Sequence, residues 1–241
     1  MNWLQENINT IVLGDSYELI KNIPDKSIDL IITDPPYCVG VSSNGTKSDF
    51  TDFNMIKPFF DYMFMEMERT LKTTGFIYVN CDWRTYPIFY ELMYKNFLIK
   101  NCIVWDYEWI KAGNFYRYSH EFILFATSKE NNSKRNFSAS ERDVWRIKPI
   151  NFTKKGERFH QAQKPEELIR KMILNSSNEK DIVADFFCGS GTTPVVAKQK
   201  NRKFIAIEIN ENTYDIAIQR LNGITANGQT SIFTDFNALE E

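Results

Sequence analysis

The chain alternates between short, nearly unbroken apolar runs and longer stretches whose apolar residues recur every three or four positions. Ile11-Val12-Leu13 is the first run, and it ends at Gly14-Asp15. Ser16 stands where it can cap a helix reaching Ile23, with Glu18 in the first turn, where an acid suits the helix dipole. Pro24-Asp25-Lys26 reads as a turn. Residues 28–33 (IDLIIT) then predict a strand buried on both faces, the type found in parallel sheets. That strand stops at Asp34-Pro35-Pro36-Tyr37, because consecutive prolines supply no ladder donors. Residues 38–57 begin with a Ser-, Gly-, Asn- and Asp-rich stretch and read as a mobile loop. Phe59, Met63, Met67 and Leu71, four residues apart, predict a helix over 58–71. Strands follow at 76–80, 98–105 and 121–127, with a helix at 87–95. Residues 129–158 are polar and basic with no clean period.

The C-terminal third is the most sharply punctuated. A helix over 165–175 carries a proline and two acids in its first turn, and a strand follows at 181–187. Gly189-Ser190-Gly191 makes a tight turn into a helix at 192–200. A strand at 203–209 and a helix at 213–221 complete the pattern, and the polar last twenty residues read as a loose end. Strand and helix alternate throughout. The expected fold is therefore one α/β domain over residues 1–241, Rossmann-like, with a mostly parallel sheet and helices on both faces.

Composition narrows the class. With 241 residues, 43% of them hydrophobic and 25% charged, the chain is long enough for a full core and has the balance of a globular protein. No apolar run is long enough to span a bilayer, and the first ten residues lack the basic and apolar regions of a secretory signal. Cys38, Cys81, Cys102 and Cys188 form no C-x-x-C pair, which argues against a zinc or redox centre and fits free thiols in a reducing cytoplasm. His120 and His160 are the only histidines and have no nearby ligand set, so no metal is expected.

The net charge of −2 announces no polyanionic partner by itself. Residues 129–158, however, hold nine basic against four acidic side chains, a +5 segment in a body of −7. Lys134, Arg135, Arg142, Arg146, Lys148, Lys154, Lys155 and Arg158 are its candidate phosphate contacts, with Phe137, Trp145 and Phe152 interleaved. A solvated basic loop with a few packing aromatics is the competing reading.

Two motifs carry chemistry. Strand, Gly-x-Gly, helix, strand and a closing acid at Glu208 is the logic of a nucleotide-type cofactor site. Thr193-Pro194 replaces the third glycine of the dinucleotide fingerprint, and Asp185 before the turn would repel a pyrophosphate, so a ligand with positive charge suits it better. Taken alone, the glycine turn is equally an ordinary strand-to-helix connection. The second motif, Asp34-Pro35-Pro36-Tyr37, puts a carboxylate, a rigid turn and an aromatic face at the carboxyl end of a buried strand, where open α/β sheets bind ligands. Asp34 and the Pro35 carbonyl can accept both hydrogens of an exocyclic amine, and Tyr37 can stack on the ring that bears it. A strand-ending turn with a capping Asp is the plainer alternative.

TDPPY at 33–37 and ADFFCGSGTT at 184–193, in this order, resemble the amino DNA methyltransferases that modify adenine N6 or cytosine N4, in the permuted arrangement of their β group. LGDS (13–16), SHEFILF (119–125) and FHQAQKPEEL (159–168) extend the likeness over most of residues 11–221. Ala162 and Phe186 depart from the family's usual Thr and Pro. The resemblance implies a permuted class I methyltransferase fold, S-adenosylmethionine as cofactor and DNA as partner. It implies that Asp34, Pro35, Pro36 and Tyr37 act on a flipped base. Asp185, Gly189 and Gly191 would surround the methionine part of the cofactor, Lys164, Pro165 and Thr192 would help shape that pocket, Glu208 would bind the ribose and Asp15 would lie at the adenine edge, with Phe186, Phe187 and Asn210 also in the cofactor-binding set. For Asp15 a capping or turn role serves equally well. The 129–158 segment falls where the β group places target recognition, with further contacts expected from the 38–57 loop or a second subunit. A homodimer and a restriction endonuclease partner are the family's habit. Asp before Pro-Pro-Tyr resembles the adenine branch; cytosine N4, RNA adenine and a non-catalytic cofactor-binding subunit are the alternatives. A glutamine methyltransferase fits less well, because those carry Asn before Pro-Pro-Tyr and put the glycine turn first. A dehydrogenase would need nicotinamide binding.

Overall fold

The computed structural model describes residues 2–37, 53–111, 115–130, 132–150 and 163–224. Eight strands form one sheet: β1 (Thr10–Leu13), β2 (Ile28–Thr33), β3 (Leu71–Cys81), β4 (Phe97–Asp106), β5 (His120–Ser128), β6 (Val144–Arg146), β7 (Ile182–Asp185) and β8 (Lys203–Glu208). Seven α-helices are described: α1 (Trp3–Asn7), α2 (Ser16–Leu19), α3 (Phe53–Thr70), α4 (Tyr86–Asn96), α5 (Glu166–Ser176), α6 (Thr192–Gln199) and α7 (Glu211–Leu221), with a 3-10 turn at Ile20–Asn22 after α2. The strand order is β1-β8-β7-β2-β3-β5-β4-β6. Pairing is parallel except where β5 runs against β3 and β4.

Side chains alternate across this sheet and build two cores, one on each face. Ile31, Ile77, Val79, Leu124, Ile205 and Ile207 pack with α3 and α4 through Phe60, Met63, Met67, Phe89 and Met93. Leu30, Ile32, Tyr78, Phe125, Val183 and Phe204 pack on the other face with α5 and α6 through Leu168, Ile169, Met172 and Val196. The mostly parallel sheet with helices on both faces is the arrangement that the alternating pattern and the resemblance to permuted class I methyltransferases lead one to expect.

Local details differ from the sequence expectation. Asp15, not Ser16, caps α2, its carboxylate accepting the Tyr17 N–H at 2.9 Å. The Ser16 hydroxyl instead donates to the Phe186 carbonyl, tying α2 to the turn after β7. Helix α3 begins at Phe53, ahead of Pro58, so the expected loop ends earlier; its remaining residues, 38–52, lie outside the described part. Strand β3 starts five residues early, at Leu71, because it also pairs with the bulged start of β2. Strand β6 falls in the segment without a period, and it is held by pairing with β4.

Candidate active site

Strands β2 and β7 are neighbours, with Leu30 opposite Val183 and Ile31 opposite Ala184. From β2 the chain crosses to β3 on one side, and from β7 it crosses to β8 on the other. That divergence opens a crevice at the carboxyl ends of the two strands, the place where open α/β sheets bind ligands. The Asp34 turn and the glycine turn therefore face each other although they are about 150 residues apart in the chain. Between them lies a cavity of about 110 Å³, whose lining includes Asp34, Asn80, Lys164, Asp185, Gly189 and Thr192.

On the Asp34 side the polar groups form one cluster. Asp34 Oδ1 accepts the Tyr37 hydroxyl at 2.5 Å, and Oδ2 is 2.7 Å from Lys164 Nζ. Lys164 also reaches Glu121 Oε2 at 3.0 Å and the Tyr37 oxygen at 3.2 Å. Glu121 Oε1 accepts the Tyr107 hydroxyl at 2.5 Å and lies 3.3 Å from Lys111 Nζ. Burial pushes the Asp34 carboxyl up, against the pull of Lys164. Burial would also raise Glu121, but Lys164, Lys111 and the Tyr107 hydroxyl outweigh it and hold Glu121 at about 2. Tyr37 is raised by burial and by the two carboxylates beside it.

On the glycine side the chemistry is opposite. Asp185 is buried at the end of β7, accepts the Phe187 N–H at 3.1 Å, and pairs with no cationic side chain among the described residues. Burial pushes its carboxyl up to about 7, despite hydrogen bonds from Thr193 and Phe187. Gly191 has φ +78° and a Cβ there would meet Ala217 Cβ at 2.9 Å, so glycine is needed for α6 to pack against α7. Gly189, at φ +52°, faces open space, with nothing within 4 Å of an added Cβ. Arg220 clamps the turn through the Ser190 carbonyl at 2.7 Å and Thr192 Oγ1 at 3.0 Å.

A model of the N6/N4 methyltransferase family, described as DNA methylase, matches residues 28–219. The chain belongs to this family. Among curated relatives, the methylase is 34% identical over 260 residues to the type II methyltransferase M.HinfI of Haemophilus influenzae, covering 93% of this chain and 72% of that one. It is 32% identical to the DNA adenine methyltransferase YhdJ of Escherichia coli, covering 88% and 82% of the two chains. Among solved structures it resembles an M1.HpyAVI–SAM complex with a TM-score of 0.66 and 26% identity, covering 88% of this chain and 98% of that one.

Of the residues singled out in the sequence, the methylase brings Asp34, Lys164, Asp185, Phe187, Gly189 and Thr192 to the cavity lining. Pro35 and Pro36 hold the turn, and Tyr37 joins the cluster by its hydroxyl. Phe186 is turned into the core, where its carbonyl serves Ser16. Pro165 caps α5. Glu208 ends β8 and accepts the Asn210 N–H at 2.8 Å, while the Asn210 side chain caps α7. Asp15 is exposed at the start of α2.

The basic segment is split. Lys134 and Arg135 follow Ser133, which donates to the Gly75 carbonyl in the first half of β3, and share a surface recess with Phe76 and Thr127, on the order of 15 Å along the sheet from Asp34 at about 3.3 Å per residue. Arg142 sits beside Trp145. Arg146 and Lys148 lie at the Asp34 end, where Arg146 pairs with Asp106. Lys154, Lys155, Arg158, Phe152 and His160 fall outside the described residues. Trp145 is core and Phe137 packs against it, so these two aromatics face inward. The thiols of Cys81 and Cys188 are buried and raised by burial; Cys38 lies outside the described part. No group of metal ligands is found, and no helix is long and apolar enough to cross a membrane, among the described residues.

Glu121, Tyr107 and Lys111 escaped the sequence reading of roles. The available signal was an acid opening an otherwise apolar strand, Glu121-Phe122-Ile123-Leu124. A second missed feature is the set of exposed aromatics at the same end of the sheet. Phe115 and Tyr116 are almost fully exposed, Trp83 and Trp109 largely so, and Arg84 lies 5.2 Å from the Trp83 ring centre.

Proposed function

We propose that this methylase transfers methyl from S-adenosylmethionine to the N6 amine of a flipped adenine at a specific DNA site, as a β-group enzyme of the cytoplasm. The observation that carries the proposal is that one cavity lies between Asp34, an acceptor for an amine, and Asp185, a buried carboxyl that pairs with no cationic side chain among the described residues. The adenine assignment draws on the Asp before Pro-Pro-Tyr and on the relative named a DNA adenine methyltransferase.

The residues fit S-adenosylmethionine on three counts. Asp185 offers a carboxylate to an ammonium group. Gly189 leaves open space beside the cavity. Thr33 Oγ1 and Asn80 Oδ1, both of residues that line the cavity and are fully buried, have no hydrogen-bond partner among the described residues, which is costly unless a ligand or water supplies one. When bound, this cofactor supplies a methyl on a sulfonium centre, open to direct displacement by a nitrogen lone pair.

The chain's own contribution is positioning and electrostatics. Asp34 and the Pro35 carbonyl accept the two amine hydrogens, which localises the lone pair on nitrogen and aims it into the cavity. Asp34 ends in a low-dielectric pocket, where its charge acts strongly on a proton that becomes acidic as the nitrogen is alkylated. Tyr37 supplies a ring for the extruded base. For the duplex we assign Arg146, Lys148 and the exposed aromatics Trp109, Phe115 and Tyr116, all at the Asp34 end of the sheet, with Lys154, Lys155 and Arg158 following in sequence.

Mapping modified bases at single-nucleotide resolution in cells expressing the chain, beside an Asp34→Ala control, tests the proposal. N6-methyladenine at one sequence motif, absent from the control, is the expected result. N4-methylcytosine would overturn the base assignment, and unmodified DNA would overturn the substrate.

A further inference from the structure

Both oxygens of Asp34 carry a donor before any base arrives. One oxygen takes the Tyr37 hydroxyl at 2.5 Å and the other takes Lys164 at 2.7 Å. A carboxylate oxygen can accept a second donor, but an amine arriving at Oδ2 enters beside the Lys164 ammonium, itself a nitrogen donor, and competes with it for that oxygen. The displaced ammonium has little access to water, since its side chain is only 12% exposed. A buried charge stripped of its partner is strongly destabilised. Glu121 removes that penalty. Its Oε2 already lies 3.0 Å from Lys164 Nζ, and its Oε1 is fixed by Tyr107 and Lys111. The Tyr37 hydroxyl touches both carboxylates, at 2.5 Å and 3.3 Å.

We propose that Lys164 is a resident stand-in for the target amine, and that Glu121 is the positioning residue that keeps its charge compensated when the amine takes its place on Asp34. Two carboxylates and two ammoniums make the cluster neutral with Lys164 on either carboxylate, so the exchange moves no net charge into the low-dielectric pocket. Glu121 stays ionised to receive the lysine, because Lys164 and Lys111 outweigh the effect of burial on its carboxyl. The inference rests on the amine-methylation reading and adds to it two residues outside the Asp-Pro-Pro-Tyr turn.

Glu121→Gln keeps the side-chain shape and removes the charge. With an active wild type, the variant is expected to lose at least tenfold in kcat, with the Kd for S-adenosylmethionine within twofold. Glu121→Asp, which restores the charge, should recover part of the loss, and it carries the test if the Gln variant fails to fold. In a Lys164→Met background the charge to be accommodated is gone, so Glu121→Gln should change kcat by less than twofold. Binding supplies a readout free of turnover. The Kd ratio between a site duplex with adenine and the same duplex with purine, which lacks the exocyclic amine, should shift by about tenfold against adenine in Glu121→Gln. Equal losses in the wild-type and Lys164→Met backgrounds, or an unchanged adenine-to-purine ratio, would overturn the inference. A wild type that methylates no DNA strikes the functional reading instead.

Discussion

Replacing Asp185 with Asn should stabilise the cofactor-free protein and weaken its hold on the cofactor. Asp185 is 5% exposed, and burial raises its carboxyl from 3.8 to about 7. At about 1.4 kcal/mol per pH unit, that displacement corresponds to on the order of 4 kcal/mol of folding free energy. Because the folded value is the higher one, the folded state binds the proton more tightly. The contribution is fully present below the unfolded value near pH 4 and is lost as pH rises through about 7. Asn keeps an oxygen for the Phe187 N–H and never ionises. Wild type and variant should therefore match in urea denaturation near pH 4. Above pH 7 the variant should lead by up to roughly 4 kcal/mol. Adding S-adenosylmethionine at pH 8 should raise the wild-type midpoint and leave the variant almost unmoved, since the ammonium partner acts only on the charged form. A gap that does not change with pH, or a variant less stable at pH 8, would refute the reasoning.

The two glycines of the turn should respond differently. Gly191→Ala meets Ala217 and a left-handed backbone, and should cost about 1–3 kcal/mol in thermal or urea unfolding. Gly189→Ala meets only the backbone cost of about 1 kcal/mol and should instead reduce cofactor affinity measured by calorimetry. Charge reversal at Arg146 and Lys148 should lower DNA affinity and flatten the salt dependence by about two in log–log slope, at ~0.9 per phosphate contact. The same reversal at Lys134 and Arg135, at the far end of the sheet, should leave that slope nearly unchanged.

Short-range information made much of this protein legible in its sequence. Residues 28–33 form a strand with the predicted ends, because the apolar run and the two prolines that stop it are local signals. Gly189-Ser190-Gly191 is a turn because the backbone conformations it needs belong to glycine. Asp34 and Asp185 stood out as carboxylates at strand ends, which periodicity alone places at one edge of a parallel sheet. The boundaries that failed were those set by partners. Strand β6, only three residues long, exists because β4 accepts it, and β3 is extended by its contact with the start of β2.

Pairing between distant strands decided the rest. Nothing in the chain between residues 34 and 185 indicates that β2 and β7 lie side by side, yet that adjacency makes one cavity of two motifs. The tertiary structure also divided a basic segment that reads as continuous, sending Lys134 and Arg135 to one end of the sheet and Arg146 and Lys148 to the other. It brought Glu121 and Lys164, from separate elements, onto Asp34 and Tyr37. Patterns of apolar residues, caps and turns act over a few residues and can be read along the chain. Which charges meet in a buried cluster depends on strand order and register, which arise only when the whole sheet closes on its two cores.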